Sequence, residues 1–113
     1  MNRRSASSAH MRYLPVPAPV HELQLSPGAL SVYIYLIRCM DDSYHCYPSY
    51  KTIGEHVRLS DNTVARCVRE LEAKQLIETE RTSVIHADGK KYNGNLRYHL
   101  LPFDQALKYH NGF

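Results

Sequence analysis

The chain has 113 residues, 43% of them hydrophobic and 22% charged, with 14 Lys and Arg against 11 Asp and Glu. That length holds one domain with one modest core, and the composition excludes global disorder. The formal charge of +3 permits an anionic partner without demanding one, because Arg3, Arg4 and Arg12 carry all of the excess and residues 22–113 balance to zero.

Residues 1–22 are expected to form a flexible tail. Pro15, Pro17 and Pro19 stand at alternate positions, which disfavours a helix and favours an extended path. Met11 is a candidate natural start, which would leave residues 1–10 foreign to the protein. The domain itself is expected over 23–102. Ser26-Pro27 opens its first helix, with Ser as N-cap and Pro at the first helical position. Leu30, Tyr33, Ile34, Ile37 and Met40 recur at helical spacing and are expected to form the buried stripe. Val32, Tyr35, Leu36 and Cys39 make much of the remaining circumference apolar. Such a helix is central, and its spare face needs a cover from the tail, a C-terminal helix or a second subunit.

Asp41-Asp42-Ser43 ends that helix, and residues 44–47 read as a short strand. Ser49 caps a second helix reaching about residue 57, with Ile53 and Val57 inward; Ser60 caps a third, reaching Lys74. Residues 77–84 and 96–101 read as two strands. Asp88-Gly89 and Asn93-Gly94 between them are turn signals, so the pair forms a hairpin with a long tip. Residues 103–113 make a C-terminal extension with a short helix. The fold class is α+β, a three-helix core with a short strand and a C-terminal hairpin.

The third helix sorts its residues by phase, at about 100° per residue. Val64, Cys67, Val68 and Leu71 gather on one side, while Asn62, Arg66 and Arg69 lie nearly opposite. Arg forks onto guanine and Asn onto adenine in the major groove, so this second face suits base reading. Ser49, Tyr50 and Lys51 sit at the start of the second helix, where free N–H groups suit a phosphate. Capping alone also accounts for Ser49. In the hairpin, Lys90, Lys91, Asn93 and Arg97 make a basic tip suited to a DNA backbone or minor groove.

The blocks Tyr47-Pro48-Ser49-Tyr50-Lys51-Thr52-Ile53-Gly54-Glu55, Leu59-Ser60-Asp61-Asn62-Thr63-Val64, Val68-Arg69-Glu70-Leu71-Glu72 and Leu76-Ile77 resemble a winged helix-turn-helix domain of bacterial, phage and mobile-element type. The resemblance covers roughly residues 26–101. It implies double-stranded DNA as partner, with the third helix in the major groove and Ser60 and Thr63 added to the candidate contacts. Two positions depart from the family pattern: Arg58 and Gln75 stand where relatives usually carry glycine. Arg58 is thereby a candidate for a DNA backbone contact.

Other chemistry is absent from the sequence. The five glycines form no phosphate loop, and Cys39, His45, Cys46 and His56 lack zinc-type spacing. Neither paired carboxylates nor an activated nucleophile stand out, so no catalytic residue, metal or cofactor is expected. Nine tyrosines invite stacking on single strands, but Tyr33, Tyr44, Tyr47 and Tyr98 fit core or edge positions better. The longest apolar run, Val32 to Ile37, is too short for a membrane span, and three cysteines without a close pair suggest reduced thiols in a cytoplasm. Three functions are compatible: a transcriptional regulator, a plasmid, phage or mobile-element replication initiator, and a winged helix used only for protein assembly. Dimerisation through the first helix and the termini is compatible with each.

Overall fold

The computed structural model describes residues 13–85 and 91–112, with the backbone alone for 83–85 and 91–95. A 3-10 helix, Ala18–Leu23, precedes α1 (Pro27–Cys39), β1 (His45–Cys46), α2 (Tyr50–Val57) and α3 (Asp61–Ala73). Then come β2 (Ile77–Ile85), β3 (Lys91–Leu100) and α4 (Phe103–His110). The hydroxyls of Ser26, Ser49 and Ser60 start α1, α2 and α3 by accepting the N–H of Ala29, Thr52 and Thr63. Each cap satisfies one of the orphan donors of its first turn.

Helices α2 and α3 also end alike. Arg58 and Gln75 take left-handed backbone, with φ of 63° and 64°. Beyond them, the N–H of Leu59 donates to the Gly54 carbonyl and that of Leu76 to the Leu71 carbonyl, each at 3.0 Å. Those bonds close both helix ends and turn the chain sharply. The two positions where glycine is missing from the family pattern are therefore left-handed, at a cost of about 1–2 kcal/mol each.

The core sits between the helices and one face of a sheet ordered β1-β3-β2, antiparallel throughout. From α1 it takes Ala29, Val32, Tyr33, Leu36 and Ile37. The stripe is thus rotated from the expected one: Leu30, Ile34 and Met40 are only half-buried. An apolar circumference gives periodicity little to choose between, and the packing of α2, α3 and β3 against α1 decides the phase. Ile53, Val64, Cys67, Val68, Leu71, Leu76, Ile77, Tyr98 and Leu100 complete the interior. Tyr44 and Tyr47, by contrast, are exposed.

The N-terminal boundary also differs from expectation. Val20 and Leu23 are buried and Val16 packs against the core, so the folded unit begins before residue 22. Prolines are compatible with this segment because Pro19 sits outside helical geometry, at φ −84° and ψ 24°, kinking a helix that is only six residues long. At the other end α4 buries Ala106 and packs Phe103 and Leu107 against the same core. Segments 16–23 and 103–107 thus both pack against the domain core. Among the described residues, no helix is long and apolar enough to cross a membrane.

Candidate nucleic-acid interface

Helix α3 has two faces. Val64, Cys67, Val68 and Leu71 are buried, while Asn62, Arg66 and Arg69 are exposed on the other side. Thr63 is half-buried, and its hydroxyl accepts from Arg66 Nη2 at 3.1 Å, which holds that guanidinium toward the start of the helix. The two acids in the later turns of α3 are occupied elsewhere. Both carboxylate oxygens of Glu70 accept from Ser26, one from its N–H and one from its hydroxyl, each at 2.7 Å. Glu72 accepts from the Thr79 hydroxyl at 2.8 Å, fastening α3 to the hairpin. Arg66 and Arg69 therefore share their face with no acid of the later turns.

Ser49 and Ser60 are used as caps. Besides accepting a backbone N–H, their hydroxyls donate to Thr52 Oγ1 at 3.0 Å and Thr63 Oγ1 at 2.9 Å. Tyr50 is half-buried and Lys51 exposed at the start of α2, and Arg58 is exposed in the turn between α2 and α3.

The hairpin divides by residue parity, as alternating strand side chains must. Cys46, Ile77, Thr79, Leu96, Tyr98 and Leu100 share the helix-side face with Arg81, which is paired with Leu96. The opposite face carries His45, Glu78, Glu80, Arg97 and His99. There Arg97 Nη2 donates to Glu80 Oε1 at 2.7 Å, His99 Nδ1 lies 3.7 Å from Glu78 Oε1, and the rings of His45 and His99 are 4.6 Å apart. The structure does not bring Arg97 to the α3 cluster. Its register partner is an acid, and Glu78 and Glu80 share its face. Lys90 and the side chains of Lys91 and Asn93 lie outside the described residues.

Arg81 was missing from the expected contacts, although counting in twos from the apolar Ile77 places it on the helix side. It lines a recess of about 300 Å³ together with Ser49, Tyr50, Lys51, Asp61 and Tyr98. Tyr98 is fully buried, and its hydroxyl has no hydrogen-bond partner among the described residues. Among the described residues, no group of three or more His, Cys, Asp or Glu is arranged to hold a metal. Burial pushes the Cys46 thiol up to about 12 and raises Cys67 as well, while Cys39 is exposed.

Two helices joined by a three-residue turn, with the second presenting a cationic face and a hairpin following, are now in place. Residues 23–77 match the family model described as a helix-turn-helix domain. The chain has a winged helix-turn-helix fold. Among solved structures, a possible transcriptional regulator from Methanosarcina mazei Go1 is 18% identical with a TM-score of 0.53, covering 80% of this chain and 68% of that one. The MepR–DNA complex of S. aureus is 17% identical with a TM-score of 0.47, covering 83% of this chain and 65% of that one. At 18% identity the likeness to the first of these is one of fold. No curated protein matches the sequence. In helix-turn-helix domains that bind DNA the second helix of the pair lies in the major groove, and α3 is the second helix of the pair here.

Proposed function

We propose that this domain binds double-stranded DNA with α3 in the major groove and regulates transcription. One observation carries the reading: Asn62, Arg66 and Arg69 are exposed together on the side of α3 opposite its buried stripe. Their chemistry suits base edges, and the hydrogen bond from Arg66 to Thr63 reduces the rotamer freedom lost on docking. Tyr50 and Lys51 at the start of α2 and Arg58 in the turn supply backbone contacts that set orientation without reading sequence. Lys90, Lys91 and Asn93 belong to the same proposal as the tip of the wing. Ser49 and Ser60 contribute as caps that hold the two helix starts in place.

The test replaces Arg66 and Arg69 together by Ala. Duplex affinity in anisotropy should fall by at least about thirtyfold, taking about 1–3 kcal/mol for each base-reading arginine. Circular dichroism should be unchanged, because both side chains are exposed. A folded double variant with parental affinity would sink the groove assignment. Selection from a random duplex pool then identifies the preferred site.

A further inference from the structure

We propose that Ser26, at the start of α1, is a positioning residue for the groove face of α3: it holds the Glu70 carboxylate away from Arg66 and so keeps that guanidinium available to DNA. This rests on the duplex-binding reading above and adds to it a residue of another helix.

The sequence of α3 places an acid where a groove face can least use it. Glu70 stands four residues after Arg66 and next to Arg69. At about 100° per residue it lies only about 40° from Arg66 around the helix, on a ridge that also carries Thr63. Arginine and glutamate at that spacing on an exposed helix face attract each other. Here they do not pair. Arg66 makes no ion pair among the described residues, and its Nη2 donates back along the ridge to the Thr63 hydroxyl at 3.1 Å. Arg66 thus has a neutral station one turn before it and an anionic one a turn after it, and it occupies the neutral one.

Helix α1 is what withdraws Glu70. Ser26 is the N-cap, and its hydroxyl accepts the N–H of Ala29 at 3.2 Å. In a capping box the N–H of the cap residue is taken by Glu or Gln at the third helical position. That position is Ala29 here, which has no side-chain acceptor, and Glu70 fills the role from α3. Its Oε2 accepts the Ser26 N–H and its Oε1 the Ser26 hydroxyl, each at 2.7 Å. Both oxygens are engaged in charge-assisted bonds, beside the positive end of the α1 dipole, so an exposed pair with Arg66 is the weaker competitor. Packing fixes the approach. A Cβ at Gly28 would lie 3.0 Å from Cys67 Sγ, so the first turn of α1 reaches the middle of α3 because residue 28 has no side chain. Ser26 then meets Glu70 on the same side of α3, one turn beyond Cys67.

The experiment measures affinity of the full chain for a duplex selected from a random pool, at low and high salt, with circular dichroism to follow the fold. Ser26→Asp keeps a good N-cap acceptor for Ala29 but has no hydroxyl to donate, and its charge repels Glu70. Affinity should fall about fivefold at low salt, the lower end of what a base-reading arginine contributes. The deficit should narrow at high salt, because an exposed pair between Arg66 and Glu70 is screened. Ser26→Ala, which leaves the backbone N–H in place, should show a smaller loss in the same direction, and it carries the same comparison if Ser26→Asp does not fold. Glu70→Gln alone should bind within about twofold of the parent, since its charge is already withheld from the duplex. Ser26→Asp combined with Glu70→Gln should also return to within about twofold of the parent, because no freed carboxylate remains to take Arg66. A purely structural role predicts instead that the second substitution deepens the loss. A folded Ser26 variant with parental affinity, or a double variant no better than the Ser26 variant alone, overturns the positioning role and leaves groove binding intact. So does Glu70→Gln alone tightening binding more than about fivefold, since Glu70 would then oppose the duplex while held by Ser26. A parent chain that binds no duplex overturns both readings together.

Discussion

Cys46 and Cys67 show how burial, not proximity to a partner, sets a residue's chemistry here. Desolvation is the largest cause of the raised thiol at both positions, and at Cys46 it reaches about 12. An unfolded thiol ionises near about 8.5. Between those limits the unfolded chain has lost protons that the folded one retains, so stability must decline as pH rises. The contribution is complete below about 8.5 and disappears as pH approaches the folded value. Urea midpoints should therefore decrease from about pH 7 to about pH 10, before tyrosines of the unfolded chain add their own term. Cys46→Val should flatten the decline. The same burial predicts that a thiol reagent at neutral pH labels Cys39 fast and the other two slowly, because only Cys39 is exposed and the thiolate is the reacting form. A midpoint that rises with pH would contradict the assignment of both thiols as buried neutral groups.

At the scale of elements, the turn between α2 and α3 depends on Gly54 more than on any side chain. A Cβ at Gly54 would run into the backbone carbonyl of Leu59, and the Gly54 carbonyl in turn accepts the N–H of Leu59. In an open helix Gly→Ala is favourable by about 0.5–1 kcal/mol. Here the obstructing atom is backbone and cannot rotate away, so Gly54→Ala should cost about 1–3 kcal/mol. Thermal denaturation should register that as a fall of about 4–8 °C per kcal/mol. The helices around this turn are readable from sequence because their starts are local: Ser26, Ser49 and Ser60 each need only the N–H three residues on. The left-handed ends at Arg58 and Gln75 are readable only by comparison with a pattern that has glycine there, since neither residue favours that backbone. The phase of α1 is only partly readable: Tyr33 and Ile37 of the expected stripe are buried, but Leu30, Ile34 and Met40 are half-buried. Its face is chosen by long-range packing, and its entry is fastened by Glu70, a residue 44 positions away from Ser26.

For the whole molecule, the question left by composition is whether net charge or its placement drives association. Residues 22–113 sum to zero, so placement must do the work if DNA is the partner. The two faces of the sheet separate the alternatives. Arg81 stands on the helix side, while Glu78, Glu80 and Arg97 stand on the other. That division was available in the sequence, because Ile77 and Leu100 anchor the parity of each strand. Arg97 is near the tip lysines in sequence, but parity puts it on the face of Glu78 and Glu80. Beyond Arg81 the register shifts before Ser83, so parity cannot be carried on to the tip. Placement predicts that Glu78→Gln with Glu80→Gln leaves duplex affinity within about twofold at physiological salt, where charges beyond about 8 Å are screened. The formal charge nevertheless rises from +3 to +5, two acids being removed. Removing the Arg81 charge alone should matter more than removing both of these acids. If affinity instead climbs with net charge in the double variant, the duplex is sensing the molecule as a whole, and the face assignment fails. The Arg97–Glu80 pair, exposed and worth at most about 1 kcal/mol, keeps the accompanying loss of stability small enough for both variants to be compared as folded proteins.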